Sequence, residues 1–168
     1  MKKIILFVTI SFFISCSQPC DNKEITKTAG MVLSGDSIGT KFMLGSDQDA
    51  QLAADLVKAY ADGNFDLMNE MTTDTVMFFE PSVGSYIPVV SPANEFLSNI
   101  QSPYDSIQRF IFSAIPTKRV GNDFTTVSVA FREFRYKGNE VEKLRVLDRI
   151  SIRDGKIFRV NQWNGILD

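Results

Sequence analysis

Three short turn signals in the C-terminal half constrain this chain more than any other feature. Gly121-Asn122, Gly138-Asn139 and Asp154-Gly155 each separate runs rich in β-branched and aromatic residues, the pattern of tight hairpins. Each turn fixes a register. A two-residue loop at Gly138-Asn139 sets Arg135 opposite Glu142, Phe131 opposite Val146, Val129 opposite Asp148 and Val127 opposite Ile150. A two-residue loop at Asp154-Gly155 sets Val146 opposite Trp163, Asp148 opposite Asn161 and Ile150 opposite Arg159. The same logic at Gly121-Asn122 sets Phe112 opposite Phe131 and Phe110 opposite Glu133. One face then gathers Phe110, Phe112, Val127, Val129, Phe131, Leu144, Val146, Ile150, Ile152, Ile157 and Trp163. The other carries Arg132, Lys143, Arg145, Arg149 and Ser151. Side chains alternate along a strand, so a one-residue slip in any hairpin would exchange its faces. Agreement of three turns on one apolar face predicts four consecutive antiparallel strands. Pro116 cannot donate to a ladder, which predicts that its strand is an edge.

Upstream, Leu52, Leu56, Val57 and Tyr60 follow helical spacing after a cap at Asp47 or Asp49, and Asp62-Gly63-Asn64 stops that helix. Phe65, Leu67, Met68 and Met71 predict a short second helix. Val76 to Glu80 and Gly84 to Val90 read as strands, and Ser91-Pro92 predicts a third helix through Ile100 with Pro at its first position.

The order and wording of these segments resemble the NTF2-like/SnoaL-like superfamily. Ala59-Tyr60-Ala61-Asp62-Gly63-Asn64-Phe65 followed by Met71-Thr72-Thr73-Asp74-Thr75-Val76-Met77-Phe78 is similar to the opening of such domains. Asp148-Arg149-Ile150-Ser151-Ile152-Arg153-Asp154-Gly155-Lys156-Ile157, then Trp163, is similar to their closing hairpin. The resemblance covers residues 47–168 and implies an α+β cone, a curved mixed sheet wrapped on about three N-terminal helices. It also implies a pocket on the concave side and dimerisation through the outer face.

The N-terminus reads as an address. Met1-Lys2-Lys3 precedes an apolar run from Ile4 to Ile14, of signal-peptide length and too short to span a bilayer. Phe13-Ile14-Ser15-Cys16 resembles the bacterial lipobox, which implies lipidation of Cys16 and attachment to a membrane of the cell envelope, facing the periplasm or the surface. Residues 1–15 are thus expected to be a signal peptide. Residues 16–46, polar and glycine-studded, read as the lipidated cysteine and a flexible tether, in which Met31-Val32-Leu33 and Phe42-Met43-Leu44 are short apolar patches able to dock on the domain.

Composition narrows the chemistry. The chain has no His, which removes Ser-His-Asp and Cys-His nucleophiles and the commonest metal ligand. Both Cys residues lie outside the expected domain, so neither a metal site nor a cofactor is expected. The formal charge is −2 and no basic run is present, so nucleic acid is not an expected partner.

Candidate site residues are the polar and aromatic groups that the register turns inward. Asp148, set among apolar neighbours, is the candidate proton-transfer group, because desolvation raises a carboxyl pKa toward neutrality. The competing reading is a structural Asp satisfied by Asn161 or Arg159. Glu133 lines a pocket mouth or reaches solvent. Phe131, Phe112 and Trp163 offer rings for an apolar ligand, and Tyr60, Glu80 and Tyr86 fall where the cone's wide end closes. Arg132 and Arg145 oppose each other on the outer face near Arg149, a like-charge arrangement that predicts either a homodimer partner or splayed, solvated side chains.

The sequence therefore favours a non-catalytic module binding a small apolar molecule or a protein partner. An acid/base enzyme of isomerase, dehydratase or cyclase type, using Asp148, is the alternative. A self-associating accessory domain, its cone filled by its own Phe side chains, is a third.

Overall fold

A computed structural model of the chain describes residues 28–80 and 83–167; the signal and lipobox expected at residues 1–16 lie outside the described residues, as does the side chain of Glu80. Two short strands come first, β1 (Thr28–Met31) and β2 (Lys41–Leu44). Helices α1 (Asp47–Ala61) and α2 (Phe65–Met71) follow, then strands β3 (Thr72–Glu80) and β4 (Ser85–Val90) and helix α3 (Asn94–Gln101). Four long strands complete the domain: β5 (Ser106–Arg119), β6 (Thr125–Lys137), β7 (Glu140–Arg153) and β8 (Lys156–Ile166). The eight strands form one sheet in the order β1-β2-β5-β6-β7-β8-β3-β4, antiparallel except where β3 runs parallel to β8.

Local chemistry accounts for the helix ends. The hydroxyl of Ser46, rather than Asp47 or Asp49, caps α1 by accepting from the Asp49 N–H at 3.0 Å, while both aspartates sit in the first turn, where the helix dipole favours them. Gly63 takes the positive φ of 68° that ends α1, and Asn64 then caps α2 through the Leu67 N–H at 3.2 Å. Helix α3 begins at Asn94, beyond the expected Ser91-Pro92 start; the Ser91–Pro92 bond is cis and belongs to the turn leading in.

The core lies between α1 and the inner face of β6, β7 and β8. Val127, Val129, Phe131, Leu144, Val146, Ile150, Ile152 and Ile157, all expected inside, are buried against Ala53, Leu56 and Val57. The β6–β7 register is the one the Gly138-Asn139 turn predicts, including Arg135 opposite Glu142 and Val129 opposite Asp148. Two registers depart from expectation, each through a one-residue bulge. In β5, Thr117 opposite Thr126 keeps the expected register. Phe112 is then an extra residue, so that Ile111 faces Phe131 and Arg109, not Phe110, faces Glu133. In β8, Phe158 is the extra residue, so Val160 faces Ile150, Gln162 faces Asp148 and Asn164 faces Val146. A bulge reverses which side chains point inward beyond it. Phe110, Phe112 and Trp163 accordingly lie on the outer face, 53%, 50% and 42% exposed.

Part of the expected tether belongs to the sheet, while residues 16–27 of it lie outside the described residues. Residues 28–44 form the β1–β2 hairpin, and β2 pairs with the end of β5, setting Leu44 opposite Thr117. The strand carrying Pro116 is therefore interior to the sheet order, and the Pro116 carbonyl accepts from the Gly45 N–H at 3.0 Å. Gly45 is needed for this approach: a Cβ there would stand 2.7 Å from Thr125 Cγ2 and 2.9 Å from Pro116 Cβ.

Candidate functional site

The helices and the inner sheet face leave a cavity of about 450 Å³, so the cone is hollow. Its apolar wall comes from Leu56 and Val57 of α1, Val76 and Phe78 of β3, and Phe96 and Leu97 of α3. Its polar wall comes from Tyr60, Arg109, Arg135, Asp148, Gln162 and Asn164. A volume of this size, mostly apolar with a few convergent polar groups, is the usual form of a small-molecule site.

Asp148 is 4% exposed. One carboxylate oxygen accepts from Gln162 Nε2 at 3.0 Å. The other accepts no hydrogen bond among the described residues. Since no buried side-chain oxygen or nitrogen there is left without a partner, that oxygen opens into the cavity. Burial pushes the Asp148 carboxyl up to about 6, against the opposing pull of the Arg109 charge and the Gln162 hydrogen bond. The group thus changes charge close to neutral pH. The structural partners expected for it, Asn161 and Arg159, lie on the outer face: Asn161 bonds the Tyr86 hydroxyl, and the Arg159 guanidinium stacks 5.5 Å from the Tyr86 ring.

Glu133 is the second inward carboxylate and reaches neither solvent nor the cavity; its side chain is 1% exposed. It bridges two arginines, accepting from Arg109 Nε and Arg135 Nε, each at 2.5 Å. Arg109 also donates to the Val57 carbonyl at 3.2 Å and lies 4.1 Å from the Tyr60 ring centre and 4.8 Å from that of Phe131. Arg135 reaches on to Tyr104 and Glu142. Two guanidinium groups share the fully buried Glu133 carboxylate and both line the cavity, fixed in place by ion pairs and ring stacking. Burial also raises the Tyr60 hydroxyl pKa, so it remains a proton-bearing donor at neutral pH.

Of the expected site residues, Asp148 and Tyr60 line the cavity. Glu133 and Phe131 lie directly behind its wall, in support of Arg109. Phe112, Tyr86, Arg159, Asn161 and Trp163 do not contribute, because the bulges and the β4 register place them outside. Arg109, Gln162 and Asn164 were not legible as site residues, since their inward direction depends on bulges that no turn residue announces. Arg135 keeps the expected place opposite Glu142 and also lines the cavity. On the outer face, the opposed Arg132 and Arg145 find compensation within the chain: the bulged Phe112 ring lies between them, 5.4 and 5.6 Å from their guanidinium carbons.

Comparison with known proteins connects this geometry to a fold. An NTF2-like protein from Anabaena variabilis superposes with a TM-score of 0.57 at 20% identity, covering 71% of this chain and 91% of that one. The described domain has the NTF2-like fold. The same fold is seen in a protein from Kribbella flavida provisionally named a ketosteroid isomerase (TM-score 0.53, 17% identity, 74% of this chain and 83% of that chain). The CaMKII hub of S. rosetta is a third similar structure (TM-score 0.55, 16% identity, 71% and 96%). No protein-family model matches the sequence, and no curated protein matches it. NTF2-like cones thus carry names as different as an isomerase and a kinase hub, so the reading of function rests on the site itself.

Proposed function

We propose that the cavity binds a small, largely apolar molecule bearing a carbonyl or carboxylate oxygen, and that Asp148 moves a proton on it. The observation that carries this reading is the free Asp148 oxygen facing an apolar cavity, on a carboxyl whose pKa is about 6. Above that pH the carboxylate takes a proton from a carbon next to the ligand's carbonyl. The C–H electron pair moves into the new C–C double bond, and charge develops on the ligand oxygen. Tyr60 and Arg109, on the same wall, supply donors for that oxygen. Return of the proton to a different carbon gives isomerisation; loss of a hydroxide from the next carbon gives dehydration. That similar cones are named isomerase and dehydratase is in keeping with this chemistry.

Binding without chemistry is the second reading, favoured by one observation: Gln162 anchors Asp148 as it would a structural carboxylate. Proton exchange separates the two. Apolar ketones and acids incubated with the protein in heavy water exchange the hydrogens next to the carbonyl, followed by NMR. Asp148→Asn slows that exchange by about 10²–10⁴-fold while ligand binding persists. Exchange unchanged in the variant removes the proton-transfer reading and leaves a binding module. No saturable binding of any member of the panel removes both.

We further propose that Cys16 is lipidated and holds the domain at a bacterial envelope membrane. The support is the basic start, the short apolar run and the lipobox-like Phe13-Ile14-Ser15-Cys16. Labelled palmitate should enter the wild-type chain in bacterial cells and not the Cys16→Ser variant; equal labelling of both would refute the anchor.

A further inference from the structure

A second concavity lies on the opposite, convex side of the sheet and takes no part in the proton-transfer site. It measures about 230 Å³ and is lined by Arg119, Arg149 and Arg159, with Thr117, Thr126 and Ser151 among them. The floor follows from strand register: Thr117 faces Thr126, Thr126 faces Ser151, and Ser151 faces Arg159, a row across β5, β6 and β7 ending in a guanidinium on β8, in which the Thr117 hydroxyl donates to the Thr126 carbonyl at 3.2 Å. Arg149 stands one pleat further along the same face of β7, and Arg119 closes the row from the end of β5, opposite Phe42 of the edge hairpin.

Three features make this a built cleft rather than a chance group of surface charges. No Asp or Glu lines it, and none of the three arginines has a salt bridge among the described residues. Two of the three are held in position. Arg119 donates to Asn122 Oδ1 through Nε at 3.3 Å and through a terminal nitrogen at 3.2 Å, and Arg159 stacks 5.5 Å from both the Phe158 and Tyr86 rings. Ser151 is 5% exposed, and its hydroxyl has no hydrogen-bond partner among the described residues, so it opens into the cleft. Three like charges gathered without a counter-charge repel one another, in a chain whose overall charge is negative. An anion with more than one negative charge and several acceptor oxygens relieves that repulsion and meets the Ser151 hydroxyl. A single carboxylate offers only two oxygens and one charge to three guanidinium groups.

We infer that this convex-face cleft binds a phosphate-type oxyanion, either free or as the headgroup of a phospholipid. The inference does not depend on the proton-transfer reading of the cavity. Isothermal titration calorimetry with inorganic phosphate and with glycerol 3-phosphate tests it. Saturable binding is expected, weakened about tenfold by Arg149→Gln and by Arg159→Gln separately. Arg149 is solvent-exposed, so its replacement leaves folding intact even if Arg159→Gln does not. Arg132→Gln, on the same face outside the cleft, and Asp148→Asn, in the cavity, should both leave phosphate binding unchanged. Tighter binding of glycerol 3-phosphate than of phosphate identifies a lipid headgroup as the source; equal or weaker binding identifies the free anion. Absence of saturable binding by either compound, or binding that survives both arginine variants, overturns the assignment.

Discussion

Replacing Asp148 with Asn should make the protein more stable, and the size of the gain follows from the site. The Asp148 carboxyl stands at about 6 in the folded protein against a reference of 3.8, with burial as the principal cause. A displacement of about two units corresponds to roughly 3 kcal/mol between the two protonation states. Between about pH 4 and pH 6 the folded state keeps a proton that the unfolded chain has already released. Stability therefore falls as pH rises through that window, and above it the full cost of a buried charge remains. Asn carries no charge in either state, and its amide oxygen can still accept from Gln162 Nε2. Asp148→Asn is thus expected to gain about 2–3 kcal/mol near pH 8 and almost nothing below about pH 4. In thermal terms the gain is about 6–10 °C at the higher pH. Urea unfolding of both proteins across that range is the assay, with the difference curve rising between the two limits. A variant less stable than wild type at every pH would mean that the carboxylate is a structural partner, and would refute the reasoning. A gain independent of pH would refute it equally, because ionisation would then not be its source.

Glu133→Gln leaves Arg109 and Arg135 without their shared counter-charge. It should cost about 3–5 kcal/mol in urea unfolding, whereas Glu142→Gln, at a half-exposed carboxylate, should change stability by less than about 0.5 kcal/mol. Proton exchange catalysed by the wild type should rise with pH and level off above about 6 as Asp148 ionises; a rate falling over that range would assign the proton transfer to another group. Gly45→Ala drives a methyl group against Thr125 and Pro116 and should cost about 1–3 kcal/mol, with faster amide exchange in the β1–β2 hairpin than in β6.

How much of this was legible in the sequence depended on whether the information was local. The Gly138-Asn139 and Asp154-Gly155 turns are tight, with residues directly before and after them paired, and turn chemistry alone identifies such turns. The register of β6 and β7, and with it the inward direction of Asp148, follows from that chemistry. The extra residues at Phe112 and Phe158 have no such signal. Each is an aromatic within a strand that holds other aromatics, and no turn residue stands beside it to announce the bulge. Five expected site residues were misplaced through the resulting loss of phase or the unpredicted β4 pairing. The β1–β2 hairpin escaped for a related reason: its strands have four residues each, and the ladder that holds β2 in place comes from β5, more than seventy positions away. The arginines of the convex cleft, at 119, 149 and 159, form no run and become a cluster only when the four strands β5 to β8 stand side by side.

The unpaired Phe158 has a consequence for how this domain can change. Up to Ile157 strand β8 shows its odd-numbered residues to the interior; from Val160 onward it shows the even ones. That single inserted residue holds two unlike chemistries apart, with Val160, Gln162 and Asn164 facing the hollow of the cone and Arg159, Asn161 and Trp163 facing outward. Pairing Phe158 with Ser151, with no residue left out of the ladder, would restore unbroken alternation and exchange the two sets, delivering a cation and an indole to the cavity while stripping Arg159 from the convex cleft. Parity along one strand, more than the identity of any side chain on it, decides which surface receives which function.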